Sequence, residues 1–406
     1  MCGILLVASN SKFNAEKLEL DTSLKVQIQK RGPDSIKTHQ ISTETLFMEF
    51  TASVLHLRGE SMCVQPIITN NSKGVPTVLC FNGEIYEYDN LKVSGNDTNF
   101  ISQKLAHCDD VFDCLSKIRG EFSIIYLVGT KLYFARDPLG RRSLVWHKKQ
   151  SEMDWLVISS VAAAGTLMDN YWEEVPANGL YTIETSDLFH LELSPWNIAQ
   201  QRIITTLNTF VVSDASEAIC PTHVNSLHRH LAQSVEQRCD IPANDLYPRL
   251  GILFSGGLDC MVLAGLANSY ICKTEAIDLI NVAFENPRTL SLSAGSDTFD
   301  VPDRRTAVQG VQELEELYPN RRWNFVDVNV TYAESLLYTR QICTLMVPAN
   351  SVMDQSIAMA FWFASRASGK SKQSKAKVLL SGVGADEQVK LPLKSAGWLL
   401  AACSCV

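Results

Sequence analysis

The second residue of this 406-residue chain is a cysteine, followed by Gly3 and Ile4. A methionine ahead of a small residue is commonly removed, and loss of Met1 would leave Cys2 with a thiol and a free α-amine on one residue. The amine's ordinary pKa of about 8 lies near the thiol's value of about 8.5, so the amine can take the thiol proton close to neutral pH. Such a nucleophile suits attack on an amide, and three other places in the chain carry matching chemistry. Asn82 and Gly83 offer a side-chain amide and a backbone N–H to an oxyanion. An amino-acid amide also carries a carboxylate, which the planar fork of Arg58 suits, and an ammonium, which Asp97 suits. Taken singly, each has a plainer reading: Asn82-Gly83 as a turn, Arg58 as a surface charge, Asp97 as a cap and Cys2 as an ordinary residue beside the initiator.

A second chemical segment lies far downstream. The apolar run 250–254 is followed at once by Ser255-Gly256-Gly257-Leu258-Asp259 and then by a helical pattern from Cys260. Glycines let backbone N–H groups converge on an anion, and a helix N-terminus adds to the field. The GK[ST] ending of a Walker loop is missing, and a glycine-rich strand-to-helix turn is the plainer reading. His223, His228 and His230 are closely spaced at a helix start, where a surface or packing role fits better than zinc.

The elements that must carry these residues differ between the two halves. Residues 2–9 read as a strand, which would seat Cys2 on a rigid element. Further strands are expected over 45–57, 75–81, 122–129, 131–135 and 155–159, with a hairpin turning at Gly129 and Thr130. A helix is expected over 99–119. Many short strands with little helix between them point to antiparallel sheets. The pattern loosens over 191–222, and the boundary is placed near 200–215. Beyond it, helix 223–238, strand 249–254, helix 260–268, strand 278–284, strand 323–330, helix 351–367 and strand 377–380 alternate as in an α/β domain with a largely parallel sheet.

Composition narrows the function classes. The chain is 46% hydrophobic and 20% charged, which is a globular balance, and its length calls for two domains. Its net charge is -8 with no long basic run, so nucleic acid is not an expected partner. No apolar stretch reaches the length of a membrane span, and no signal peptide is evident. Twelve cysteines without framework spacing read as free thiols in a reducing, cytoplasmic setting. None of this assigns an oligomeric state.

Eight ordered segments carry a resemblance: MCGI at 1–4, RGPD at 31–34, LHLRG at 55–59, QP at 65–66, FNGEIY at 81–86, GNDT at 95–98, RGEFS at 119–123 and ARDPLGRR at 135–142. Together they resemble the class II glutamine amidotransferase domain of glutamine-dependent asparagine synthetases. The resemblance implies an α+β N-terminal-nucleophile αββα sandwich over residues 2–200, with glutamine as substrate and no cofactor. It implies Cys2 as nucleophile, Arg58 and Asp97 as the grips on the glutamine carboxylate and amino group, and Asn82 with Gly83 as the oxyanion hole. The run Arg58-Gly59-Glu60 departs from the family's usual strand continuation there.

The downstream segment resembles the SGGxDS loop of ATP pyrophosphatases, with Cys260 in place of the last serine. This implies an α/β PP-loop, or adenine nucleotide α hydrolase-like, domain over 215–388. Ser255, Gly256, Gly257, Asp259 and Cys260 would then hold pyrophosphate, with Mg²⁺ at Asp259 and ATP as cofactor. Ser381, Gly382 and Asp386 fall in SGVGADE at 381–387, which resembles the SGEGSDE segment of the synthetases, with Val383 where they have a glutamate. VAFE at 282–285, FDVPDRRTA at 299–307, WNFVDVNV at 323–330 and WFASRA at 362–367 are closest to a eukaryotic branch, the asparagine synthetase domain-containing protein 1 family, in which Val383 is typical. Residues 389–406 do not continue that pattern, so the second domain is expected to be incomplete at its C-terminus, with apolar faces uncovered.

Three functions follow as expectations. The first is a complete ATP-dependent asparagine synthase using glutamine and aspartate. The second is a glutamine amidotransferase with an altered second half, which the positions around Val383 favour. The third is a non-catalytic interaction protein, against which the full set of glutaminase residues argues.

Overall fold

The computed structural model describes residues 2–9, 24–149, 155–162, 172–196, 221–240, 248–286, 298–369 and 372–385. The chain divides into two compact units, the first made mainly of Met1–Thr209 and the second of Phe210–Met346 with Asn350–Ser395.

In the first unit the strands are β1 (Gly3–Ser9), β2 (Ser35–Ser42), β3 (Phe47–Val54), β4 (Ile67–Asn70), β5 (Pro76–Tyr88), β6 (Leu91–Lys92), β7 (Ile118–Val128), β8 (Lys131–Arg136), β9 (Val145–Lys149), β10 (Trp155–Ser159), β11 (Glu173–Glu174), β12 (Gly179–Glu184) and β13 (Leu191–Pro195). Its helices are α1 (24–31), α2 (Asp97–His107) and α3 (Val111–Ser116). One sheet runs β11-β9-β10-β1-β3-β2, and the other β13-β12-β8-β7-β5-β4 with β6 on β5. All their pairings are antiparallel.

The alternation along β1 explains the layering. Ile4, Leu6 and Ala8 point into a core shared with Phe50 of β3 and with Cys80, Ile125 and Phe134 of the second sheet. The other face of β1 lies under α1, where Leu24 and Ile28 are fully buried. The outer face of the second sheet packs Phe81, Ile85 and Phe122 against Ile101, Leu105 and Leu115 of α2 and α3. The result is four layers, helix–sheet–sheet–helix, as the resemblance to the αββα sandwich implied. Every residue of β1 is buried, as a central strand requires, whereas β2 at the sheet edge is largely polar and partly exposed.

The expected single helix over 99–119 is two helices. Cys108 leaves the helical conformation, and the Asp110 side chain accepts from Phe112 N to cap a second start. The helical pattern then stops at Ser116, and residues from Ile118 belong to the central strand β7. The hairpin expected at Gly129 and Thr130 is present between β7 and β8, with Gly129 at a φ of 58°.

In the second unit the strands are β14 (Leu250–Leu253), β15 (Ile277–Phe284), β16 (Trp323–Val330) and β17 (Val378–Leu380). The helices are α4 (Pro221–Cys239), α5 (Leu258–Tyr270), α6 (Pro302–Leu317), α7 (Tyr332–Met346) and α8 (Val352–Arg366). All strands are parallel in the order β16-β15-β14-β17. α4, α5 and α6 cover one face of the sheet and α8 the other, with Tyr338 of α7 against it. Arg321 closes the end near α5: its guanidinium donates to the carbonyls of Asn268, Ile271 and Glu275. Leu337 and Val352, on α7 and α8, remain mostly exposed at 73% and 79%. The tail 389–406 lies outside the described residues.

Candidate functional site

Cys2 enters the structure at the head of β1, and its surroundings are built from backbone. Gly3 N donates to Ser53 Oγ at 3.1 Å, and that hydroxyl donates to Ile28 O at 2.6 Å. A Cβ at Gly3 would meet both oxygens at 2.8 Å, so the strand fits there only with glycine. Gly32 of the RGPD segment is as constrained, since a Cβ would lie 2.4 Å from Val54 N. Arg31 Nε donates to Cys2 O at 3.2 Å, and the Cys2 thiol points to Leu55 O at 3.9 Å. Burial raises the thiol pKa above its ordinary value, and the carboxyl groups of Glu84 and Asp97 push it further up, against the Leu55 contact.

The GNDT segment makes a helix start that presents Asp97. Gly95 turns at a φ of 81°, and Asn96 Oδ1 accepts from Asn99 N to cap α2. Asn96 Nδ2 also donates to Arg58 O at 3.2 Å, tying the arginine's backbone to the same turn. Gly59, at a φ of 82°, packs so closely on Asn96 that a Cβ would meet its N at 2.8 Å. Asp97 Oδ1 accepts from Thr98 N at 2.8 Å and Oδ2 from Ile85 N at 3.2 Å. The Arg58 guanidinium donates to Ile85 O at 2.7 Å and Val93 O at 2.8 Å, and stands 4.0 Å from both Asp97 Oδ2 and Glu84 Oε2.

Glu84 is the functional residue that the sequence reading passed over, although it is the last letter of the FNGE run. It is partly buried, close enough to Asp97 for each carboxyl group to act on the other. Burial first, and then the Asp97 charge, raise its carboxyl well above the ordinary range, although Arg142 and Arg58 oppose this. Asp97 is also raised by burial, with Arg58 and the interaction with Glu84 pulling the other way. The arrangement is therefore two adjacent carboxyl groups, both raised and Glu84 the more strongly, next to one guanidinium.

Asn82 and Gly83 sit on β5 opposite Ser123 and Phe122 of β7. Asn82 is 1% exposed, and its Nδ2 has no hydrogen-bond partner among the described residues. A buried amide donor left open in this way is costly unless something else accepts from it. A Cβ at Gly83 would lie 2.2 Å from Glu121 O, so only glycine fits. The β5–β7 register slips between Ile85 and Glu87, just past the site, as bulges beside functional sites often do.

The ARDPLGRR segment supports this arrangement from behind. Asp137, fully buried, accepts from Leu139 N, Arg141 N and Arg141 Nε. Arg136 pairs with Glu174 at 2.6 Å and also bonds Gly140 O. Arg142 lies 3.8 Å from Glu121, which also accepts from the Tyr86 hydroxyl at 2.5 Å. Cys63, half-buried between Arg58 and Gln65 in the chain, is a second thiol near enough for Cys2 and Asp97 to act on its charge.

The second segment has a different character. The strand order turns outward on both sides of β14, so the loops after β14 and β17 meet at a topological switch point, where α/β sheets place ligands. A Cβ at Gly382 would touch Asp259 Cβ at 2.7 Å, which shows how closely the two loops approach. Gly256, at a φ of 80°, lies against Thr306 O, 2.2 Å from where a Cβ would be. Gly257 caps α5 without any side-chain bond to the helix N–H groups. Cys260 is buried and its thiol donates to Gly257 O at 3.1 Å. Ser255 and Asp259 are exposed, Ser381 is half-buried, and Asp386 lies outside the described residues. No group of three His, Cys, Asp or Glu side chains suited to a metal occurs among the described residues, and His228 and His230 are exposed on α4. No described helix is long and apolar enough to cross a membrane.

The model of the glutamine amidotransferase domain family matches residues 1–187, the stretch that carries the four-layer fold and the site at the chain's start. The similarity to whole proteins runs further. The human asparagine synthetase domain-containing protein 1 is 31% identical over 96% of this chain and 78% of its own length. A Saccharomyces cerevisiae asparagine synthetase domain-containing protein is 32% identical over 95% and 77%. The chain belongs to this asparagine synthetase domain-containing protein 1 family. Among solved structures, a Bacillus subtilis glutamine phosphoribosylpyrophosphate amidotransferase aligns with 76% of this chain and 70% of its own at 14% identity and a TM-score of 0.36, a likeness too loose to extend the argument.

Proposed function

We propose that the first unit hydrolyses glutamine to glutamate and ammonia, and that the second unit is the site where ammonia is used. The observation that carries the first part is the open, buried Nδ2 of Asn82, two residues before the carboxyl group that acts on Cys2. In this reading removal of Met1 frees the α-amine of Cys2, which takes the thiol proton. The thiolate attacks the glutamine side-chain carbonyl, and Asn82 Nδ2 and Gly83 N–H hold the oxyanion. The C–N bond breaks, the amine returns its proton to the leaving ammonia, and a thioester forms on Cys2. Water then cleaves the thioester to glutamate and restores the thiol. Arg58 faces the substrate carboxylate, and Asp97 with Glu84 the α-ammonium.

For the second unit, the glycine cradle at Gly256, the open helix start at Gly257 and the nearby Asp259 suit a triphosphate with Mg²⁺. Ser255, Gly256, Gly257, Cys260, Ser381, Gly382 and Asp386 would hold the phosphates, and Asp259 the metal. Mg²⁺ when bound neutralises phosphate charge. The family's name suggests aspartate as the group to be amidated, and the close approach of Gly382 to Asp259 favours keeping that reading. Val383 argues for the other, an acceptor different from aspartate: its exposed apolar side chain neither takes a proton nor binds a cation.

The deciding assay measures glutamate release from glutamine, with and without ATP and aspartate, in the parent protein and in Cys2→Ala. Cysteine-dependent glutamate is expected, and its absence removes the glutaminase. Asparagine together with AMP would establish the full synthase, and glutamate alone the altered form.

A further inference from the structure

A second pair of thiols lies away from Cys2, at the opposite end of the helix that begins with Asp97. α2 ends at His107, Cys108 turns extended, and α3 carries Cys114 after the link Cys108-Asp109-Asp110. Cys114 is 2% exposed, and the Tyr88 hydroxyl donates to its sulfur at 3.6 Å. Cys108 is half-buried, with its thiol 3.3 Å from Leu105 O. The two thiols lie within interaction range of each other, and each perturbs the other. Both line an open cleft of about 710 Å³, together with Tyr88, Lys104 and Lys117, in which Cys108 is the half-exposed thiol and Cys114 the covered one.

Cys108 is raised, first by its interaction with Cys114 and then by burial. Cys114 is drawn below its ordinary value, first by that interaction and then, against burial, by Tyr88 and Lys117. Other described cysteines lack this combination. Cys80 is sealed in the core, and Cys239 is pushed up to about 12 by burial. Cys272 is drawn down beside Thr274, but it is exposed and its neighbours in that interaction are not thiols.

We propose that Cys108 and Cys114 are a peroxide-sensitive pair that closes to a reversible intrachain disulfide between the end of α2 and α3. The Cys114 thiolate attacks one oxygen of hydrogen peroxide, the O–O bond breaks, and the departing hydroxide takes a proton and leaves as water. Cys114 is then a sulfenic acid. The Cys108 sulfur attacks it, the S–S bond forms, and the displaced hydroxyl leaves as water with the Cys108 proton. Two thiols and one peroxide thus give one disulfide and two waters, and a dithiol reductant reverses the change.

Cleavage after Lys104 and Lys117 places both cysteines in one peptide, 105–117. The full-length protein is treated with limiting hydrogen peroxide, alkylated with iodoacetamide, digested with trypsin and analysed by mass spectrometry. The expected peptide is lighter by two hydrogens than its reduced form, has lost alkylation at both cysteines, and regains it after dithiothreitol. Alkylation there should disappear before that of Cys272. In Cys108→Ser, dimedone should capture Cys114 as the sulfenic acid, while in Cys114→Ser residue 108 should stay fully alkylated. The proposal is overturned if the 105–117 peptide keeps both alkyl groups while Cys272 is oxidised. It is equally overturned if Cys114 passes to a sulfinic acid with Cys108 untouched.

Discussion

The site around Cys2 and the glycine loops of the second unit are both made from short motifs, yet they are held in opposite ways. Around Cys2 the functional groups are buried charges and amides fastened to backbone: Arg58 on two carbonyls, Asp97 on two N–H groups, Asn82 inside the sheet. At the switch point after β14 the groups are exposed side chains and bare N–H groups, and only the glycines are constrained. A buried site prepares its electrostatics before substrate arrives, because desolvation multiplies every charge in it. An exposed loop takes most of its electrostatics from what binds. Substitutions should therefore act sharply on the first region and mildly on the second.

The largest effect is expected for Cys2→Ala, with glutamate release falling on the order of 10³-fold or more while thermal stability stays close to the parent's. Loss of release without loss of folding is the required pair of results. Asn82→Ala should come next, lowering kcat by about 10²-fold with little change in KM, as expected of the proposed oxyanion donor. A change confined to KM would place Asn82 outside the oxyanion hole.

Glu84→Gln tests the raised carboxyl group. With the proton on Glu84, an arriving α-ammonium meets one carboxylate, and ionisation of Glu84 gives it two. The KM for glutamine should therefore fall as pH rises through the raised Glu84 value, with Asp97, Arg58, Arg142 and Cys2 the other charged or titrating groups around it. The Gln variant should bind more weakly and lose that trend. Stability moves in the opposite sense. Burial raises Glu84 in the folded protein, so its stabilising contribution is complete below the unfolded carboxylate value and is lost as pH rises through the folded one. Glu84→Gln should flatten the decline in Tm over that window. An unchanged decline would remove the proton from Glu84.

The smallest effects belong to the exposed region. Cys260→Ser keeps a donor to Gly257 O and offers phosphate a better hydrogen-bond partner, so ATP affinity should tighten by a few-fold, about 1 kcal/mol. Val383→Glu should fold like the parent, since the side chain is 44% exposed, and its readout is ATP-dependent AMP formation. Large losses of stability in either variant would contradict the contrast between the two regions. Calorimetry and nucleotide titration measure both.

Much of the first region was readable in the chain because its motifs are local. The stretch 2–9 forms strand β1 over Gly3–Ser9, the stretch 155–159 is a strand with the bounds expected, and the hairpin turns at Gly129. The failures came where two local signals overlap. Residues 99–119 satisfy helical spacing, but Asp110 caps a new start and Ile118 begins a buried strand, and pairing with β5 outweighs the helical pattern. Glu84 was in view yet unassigned, because a glutamate after Asn-Gly says nothing about burial.

What the sequence determined by itself is the inventory and its order: a thiol at the second position, an amide with a glycine, an arginine, an aspartate, and a glycine loop at the end of an apolar strand. Folding settled which of these share an environment. It placed Glu84 against Asp97 so that the two carboxyl groups act on each other, and it brought Cys108 to Cys114 across the break between two helices. The physical reason is that pKa, desolvation and hydrogen-bond satisfaction depend on neighbours from distant strands and helices, and the identity of those neighbours is a property of packing.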